Sequence, residues 1–246
     1  MNFINQFILI LLFVIFASCS KEELNESVIK EKSLDGQVLE AYTEGLDSLR
    51  GGDVLYAAKK FNEAEMLFPQ SEWAPRSALM AAYSYYSQDY LDDAIAELDR
   101  FLLVYPLSKD KDYAIYLLAN SHYEKIVDEK KDLQSILFAK ENFVKLQKNF
   151  PNTEYALDSE FKIDLINDIL ASKEMYLGRY YFDRKKWIPS INRFRTVIDE
   201  YDTTIYVEEA LHRLVEVYYT IGLINEAKKY ANILGYNYGS SRWYQT

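Results

Sequence analysis

Hydrophobic and polar positions change rhythm twice along this 246-residue chain. Phe7 to Ala17 is an unbroken apolar run of eleven residues, too short for a membrane-spanning helix, which needs roughly 20. Residues 20–37 are polar, with charges of alternating sign (Lys21, Glu22, Glu23, Lys30, Glu31, Lys32). From residue 38 onward apolar positions recur at helical spacing, in paired segments parted by turn residues. One punctuation mark returns four times: FPQS at Phe68–Ser71, YPLS at Tyr105–Ser108, FPNT at Phe150–Thr153 and YDTT at Tyr201–Thr204. Each is an aromatic residue, then Pro or Asp, then any residue, then Ser or Thr. Proline ends the preceding helix because it lacks an amide hydrogen and clashes with the turn before it. The Ser or Thr is predicted to cap the next helix by accepting from its first free amides.

With the Pro set at position 32 of a 34-residue unit, small residues fall at position 20: Ala57, Ala94, Ala139, Ser190 and Ala227. Large apolar residues fall at position 24 (Phe61, Leu98, Phe143, Phe194) and small ones at position 8 (Gly45, Ala82, Gly178). Leu214 and Tyr218 fit positions 7 and 11 of a fifth unit. This pattern resembles the tetratricopeptide repeat. Small residues sit where two antiparallel helices cross closely, and stacking supplies the core that one pair cannot build alone. The expected fold is all-α, a right-handed α-solenoid of five such hairpins. Units one to three cover 38–153, units four and five cover 154–241, and 242–246 is a tail. Successive position-20 residues are 37, 45, 51 and 37 apart. The two large excesses go to a charged insertion at Ile126–Ser135 inside unit three and to a lengthened first helix in unit four. That helix, from Glu154 to about Lys185, is expected to run near 30 residues, since it holds no Pro and its first Gly is Gly178.

The apolar run at the amino terminus reads as the core of a secretory signal. It ends in Phe16-Ala17-Ser18-Cys19, with small residues directly before the only Cys of the chain. This resembles a bacterial lipobox, which implies cleavage after residue 18 and acyl chains on Cys19. Phe16 stands where Leu is usual, no Lys or Arg precedes the run, and a plain cleavable signal is the other reading. Ser20 after the Cys resembles an outer-membrane address. Residues 19–37 would then tether the folded part to the membrane.

By analogy with the repeat, the first helix of each unit lines a concave groove. Tyr42, Leu46 and Arg50 fall there in unit one. Arg76, Leu79, Tyr83 and Tyr86 do so in unit two, and Tyr113, Tyr116, Asn120 and Tyr123 in unit three. Six tyrosines on one face offer large contact area at low rotamer cost. Two readings of this face stand: a groove for an extended, aromatic-bearing peptide, or packing between helices. The net charge of −10 argues against nucleic acid, which needs a basic footprint. One Cys and two His, His122 and His212, leave no metal set or triad. Gly51-Gly52-Asp53 reads as a turn, not a phosphate loop. Asp92, Asp93, Glu97 and Asp99 mark an exposed helix start and face. No cofactor and no enzymatic activity are expected.

The whole mature stretch is similar to the BamD family, the tetratricopeptide lipoproteins of outer-membrane β-barrel assembly. The likeness rests on the lipobox, five units, an insertion in unit three and a long helix in unit four. Its more specific stretches are Ala81–Pro106 with Asp99-Arg100-Phe101, then Asp112–Tyr116, Arg179–Phe194 and Asn237–Tyr244. The resemblance implies that units one to three engage unfolded outer-membrane proteins. In that reading Arg50, Arg76 and Arg100 meet a terminal carboxylate, and Tyr42, Tyr83, Tyr86, Tyr113, Tyr116 and Tyr123 line the groove. It also implies that units four and five dock the POTRA region of a BamA-like barrel; the locally basic stretch around Arg179, Trp187, Asn192, Arg193 and Arg195 is the expected place, since Arg and Trp are enriched in interfaces. Asp202 replaces the expected Pro in this half. The alternative is another envelope tetratricopeptide lipoprotein acting as a scaffold for cell-wall enzymes.

Overall fold

The computed structural model describes residues 32–126 and 133–245. Cys19, the signal segment, most of the tether and residues 127–132 of the insertion lie outside them. The described residues form eleven α-helices and no strand. Five antiparallel hairpins follow one another: α1 (Leu34–Arg50) with α2 (Val54–Leu67), α3 (Trp73–Tyr86) with α4 (Leu91–Val104), α5 (Lys111–Glu124) with α6 (Leu133–Asn149), α7 (Glu154–Asp183) with α8 (Trp187–Glu200), and α9 (Val207–Thr220) with α10 (Ile224–Tyr238). A short helix, α11 (Arg242–Gln245), closes the series. The unit-four helix has the expected length, 30 residues. The first helix begins at Leu34, so the last four residues assigned to the tether belong to the stack. Likewise Leu133–Ser135, assigned to the insertion, open α6.

The first helices of adjacent units touch, α1 with α3, α3 with α5 and α5 with α7, whereas the second helices approach one another less closely. The first helices therefore line the tighter side of the stack. All five position-20 residues are buried, and so are all the position-24 residues named above. The reason for glycine at position 8 is steric. A Cβ on Gly45 would lie 2.9 Å from the Phe61 ring, and one on Gly178 only 2.4 Å from the Phe194 ring. Where Ala82 holds that position, the partner is the smaller Leu98, in the same buried cluster. Ser190 adds a polar tie at the unit-four crossing, its hydroxyl donating to the Gly178 carbonyl at 2.9 Å.

Both kinds of turn are built on hydrogen bonds. In four units the first helix ends on a left-handed residue at position 15: Gly52 (φ 85°), Asp89 (φ 60°), Lys185 (φ 54°) and Gly222 (φ 81°). The next amide reaches back five residues to a helix carbonyl, as in Asp53 to Ser48 (3.0 Å) and Leu223 to Tyr218 (2.9 Å). This satisfies carbonyls that the helix end leaves free. Asp53 then caps α2, accepting from the Tyr56 amide at 3.1 Å, so Gly51-Gly52-Asp53 is a turn as expected.

The aromatic punctuation differs in detail from expectation. In every case the Ser or Thr amide donates to the aromatic carbonyl three residues back, at 3.0–3.2 Å. Only Thr153 also caps the next helix, accepting from the Ala156 amide at 3.3 Å. The hydroxyls of Ser71, Thr153 and Thr204 also donate to those same carbonyls, of Phe68, Phe150 and Tyr201. Ser108 accepts from the Asp110 amide at 3.2 Å. The hydroxyl closes its own turn because that carbonyl, freed by the end of the helix, is the nearer partner.

Residues 242–246, expected as a tail, include α11, which packs on α9 and α10. The Trp243 carbonyl lies 2.8 Å from His212 Nδ1, the Ser241 hydroxyl donates to Glu208 at 2.5 Å, and Gly235 leaves room for the Tyr244 ring.

Two glycine substitutions separate sterics from backbone conformation. Gly178→Ala forces a methyl into a buried ring and is expected to cost about 1–3 kcal/mol, with part of the loss recovered by adding Phe194→Leu. Gly222→Ala meets no atom within 4 Å and should cost about 1 kcal/mol from its left-handed backbone alone, unchanged by Phe194→Leu. Urea unfolding of the four variants checks both statements.

Candidate functional site

The inner tyrosines divide into three sets. Tyr42 is core: 6 % exposed, it meets Phe61 and Trp73 edge-on, each at 5.2 Å between centroids. A second set ties successive units together. The Tyr86 hydroxyl on α3 donates to Glu124 on α5 at 2.6 Å, and the Tyr116 hydroxyl on α5 donates to Asp158 on α7 at 2.7 Å. Hydrogen bonds to an ionised acceptor are about twice as strong as neutral ones. Tyr116 also lies against Tyr155 at 5.1 Å, and Tyr123 sits under the Lys162 ammonium at 4.9 Å. The third set, Tyr83 and Tyr113, lines open space.

That space is a cavity of about 220 Å³ between α3 and α5, enclosed by Arg76, Leu79, Met80, Tyr83, Asp110 and Tyr113. A neighbouring cavity of about 460 Å³ shares Arg76 and Asp110 and adds Glu72, Trp73, Pro75, Ser108 and Lys109. Arg76 therefore lines both. It rests over two rings, Tyr42 at 5.9 Å and Trp73 at 5.8 Å. Among the described residues no carboxylate comes within ion-pairing distance of it. Asp110 lines both cavities and Glu72 the larger one, so a bound anion would be admitted beside Arg76 and repelled beside these carboxylates. Of the groove positions read from the repeat, Arg76, Leu79, Tyr83 and Tyr113 line this cavity; Met80, Trp73 and Asp110 were not among them. Trp73 and Asp110 sit just before or at the start of their helices, outside the groove positions of the repeat.

The other two arginines lie elsewhere. Arg50 is exposed at the end of α1 and pairs with Asp47 at 3.1 Å. Arg100 belongs to the second helix of unit two. Its guanidinium bonds both oxygens of Glu65 (2.8 and 2.7 Å) and Glu97 (2.8 Å), and Tyr105 donates to Glu65 at 2.6 Å. This cluster bridges α2 and α4, and Glu65 is buried. The Arg100 donors are spent on the fold.

In the second half, Arg179 bonds both oxygens of Glu209 at 3.0 Å, joining α7 to α9. Arg193 does the same with Glu174 (3.1 and 2.9 Å), joining α8 to α7. Trp187 is half-buried against Phe182. Asn192 and Arg195 are exposed on one face of α8, with Arg195 beside Asp199 at 3.6 Å. Ile188, 65 % exposed, extends that face. Its helical spacing to Asn192 and Arg195 was a signal available in the sequence. The structure thus separates the docking candidates into two ties within the stack and one open face. Of the two histidines, His212 holds the α11 turn, and His122 lies against Phe138 at 5.3 Å, its pKa lowered by burial.

Burial of the inner tyrosines carries a pH signature. Tyr113 is pushed up to about 12, first by burial and then by neighbouring phenols. Tyr116 is pushed up to about 12 by burial and by the bond to Asp158. Between pH 10 and 12 the unfolded chain has released these protons and the folded chain has not. The unfolded state then binds fewer protons, so stability falls as pH rises through that window. Denaturation midpoints should decline there, and Tyr113→Phe should make the decline shallower.

A family model described as "YfiO: Outer membrane lipoprotein" matches residues 34–234. Three curated relatives carry the description outer membrane protein assembly factor BamD. The protein of Rickettsia prowazekii is 40 % identical over 237 residues, covering 96 % of this chain and 92 % of that one. The protein of Caulobacter vibrioides is 42 % identical over 203 residues, covering 82 % and 67 %. The protein of Neisseria meningitidis serogroup A is 32 % identical over 217 residues, covering 84 % and 81 %. With the family model spanning the helical stack from the start of α1 into α10 and a relative 40 % identical over 96 % of the chain, this chain belongs to the BamD family of outer membrane lipoproteins.

Proposed function

We propose that this chain is a non-enzymatic, acyl-anchored assembly factor for outer-membrane β-barrel proteins. It holds unfolded barrel polypeptides in units one to three and docks the POTRA region of a BamA-like barrel through units four and five. Family membership and the names of the relatives support the general role. The observation that carries the substrate reading is Arg76: a guanidinium without a carboxylate partner among the described residues, seated on two aromatic rings and lining two cavities. A chain ending in an aromatic residue fits such a place. Its terminal carboxylate meets Arg76 through charge-assisted hydrogen bonds, and its ring enters the space beside Leu79, Met80 and Tyr83. The docking reading rests on the exposed face of α8, where Ile188, Asn192 and Arg195 combine an apolar contact with interface-favoured polar groups.

Arg76→Gln should weaken binding of a barrel-derived carboxy-terminal peptide by about tenfold or more, the share of one charge-assisted contact. Amidating the peptide should cause the same loss in the wild-type protein and no further loss in the variant. Equal losses from amidation in both proteins would remove Arg76 from carboxylate recognition. Fluorescence anisotropy at fixed salt provides the measurement.

Acylation at Cys19 supplies the membrane attachment in this reading. Each buried methylene contributes about 0.8 kcal/mol, so several chains on one residue anchor stably. Cys19→Ala is expected to move the protein from the membrane to the soluble periplasmic fraction, and unchanged fractionation would rule the anchor out.

A further inference from the structure

In a hairpin stack, the first helix of a unit packs on the preceding unit with one face and on its own second helix with another. The long helix α7 breaks this arrangement. The Gly178–Ser190 crossing and the Arg193–Glu174 pair set α8 antiparallel to α7. Counting back from that crossing at a common rise, the end of α8 reaches only the level of about residue 168 on α7. The first four turns of α7 therefore have α5 and α6 on one side, where Ala156, Ser159 and Ile166 are buried, and no second helix of their own unit on the other.

That uncovered side is apolar. Leu157, Phe161 and Leu165 are 62, 71 and 51 % exposed, spaced at four residues so that they form one stripe. Glu154, Asp164 and Asp168 share the same side of the helix, and none of them has an ion-pair partner among the described residues. The nearest cation along the helix, Lys162, points toward Tyr123 on the opposite flank. An apolar stripe edged by three carboxylates is complementary to a segment that alternates apolar and basic residues.

We infer that the first half of α7 is a docking face for a cationic amphipathic helix of another polypeptide. The occupant has to be helical because a lone helix face presents no free backbone groups. A chain buried against it must satisfy its own amide and carbonyl groups, and a helix does so internally. Residues at i, i+4 and i+8 form a ridge on a helix surface, and a second helix packs along such ridges. An occupant of about 15 residues would match the uncovered stretch at 1.5 Å per residue. This face is separate from the Arg76 cavities and from the open face of α8, so it does not depend on the substrate or docking readings given above.

The test uses the full mature chain and a labelled synthetic helix of about 15 residues built from leucine and lysine at amphipathic spacing. The wild-type protein should bind it. Asp164→Lys with Asp168→Lys should reduce affinity by about tenfold or more, and so should Phe161→Ser with Leu165→Ser. Phe161, Asp164 and Leu165 are exposed and Asp168 is half-buried, none of them in the core, and circular dichroism should show unchanged helicity and melting. Arg76→Gln should leave this affinity unaltered, which distinguishes the face from the groove. The inference is overturned by any of four results: no binding, equal binding by both variants, equal binding of a leucine–glutamate helix, or equal binding of the same peptide interrupted by a central proline. Concentration-dependent self-association that Phe161→Ser abolishes would assign the face to a second copy of this chain and overturn it as well.

Discussion

Two helices of fourteen residues cannot bury enough apolar surface to persist alone. Everything in this molecule follows from the closeness with which such pairs cross and stack. The crossing is set by a trade of volume between positions 8 and 24, glycine against phenylalanine in units one and four and alanine against leucine in unit two. In unit three Phe143 shares its cluster with Ala119 rather than a glycine. Since each unit completes the core of the next, the buried clusters run from Val38 to Leu234 in overlapping groups.

Polar groups then reinforce what packing begins. Tyr86 with Glu124 and Tyr116 with Asp158 join first helices in the amino-terminal half. Arg179 with Glu209 performs the same task between α7 and α9, where the backbones stand further apart. Arg100, Glu65 and Tyr105 bridge second helices on the other side. A Tyr-rich, acidic composition thus has a structural meaning: phenols and carboxylates are the mortar between units. It also explains why so few of the candidate groove residues are free. Function is left to the side chains that this mortar did not consume.

The hairpins were legible because their rule is local and repeated. Position-20 residues, the aromatic punctuation and the length of α7 all read directly from spacing. The turn at Gly51-Gly52-Asp53 was legible too, while the left-handed turns at Asp89 and Lys185 were not, since nothing about either residue type announces φ above zero. The site was only partly legible. Repeat positions say which helix face a residue shares, and they placed Tyr83, Tyr113 and Arg76 together. They do not say whether a carboxylate one unit away will claim an arginine, which is why Arg100, Arg179 and Arg193 read as ligand groups and fold as ties. The long helix was foreseen as a length; that its overhang would bare Leu157, Phe161 and Leu165 depends on where α8 ends in space.

The closing helix α11 bears on how this architecture can vary. Repeat arrays commonly grow or shrink by whole units, because each added pair finds the same surface as the one before it. Here Trp243 and Tyr244 cover the surface that a sixth hairpin would use, held by Ser241 on Glu208 and by the niche at Gly235. Duplication at this end would first have to evict an aromatic plug and strand the Glu208 carboxylate. A hairpin stacked on α9 and α10 would have to displace this helix, whereas interior segments such as the unit-four helix lengthen without that displacement.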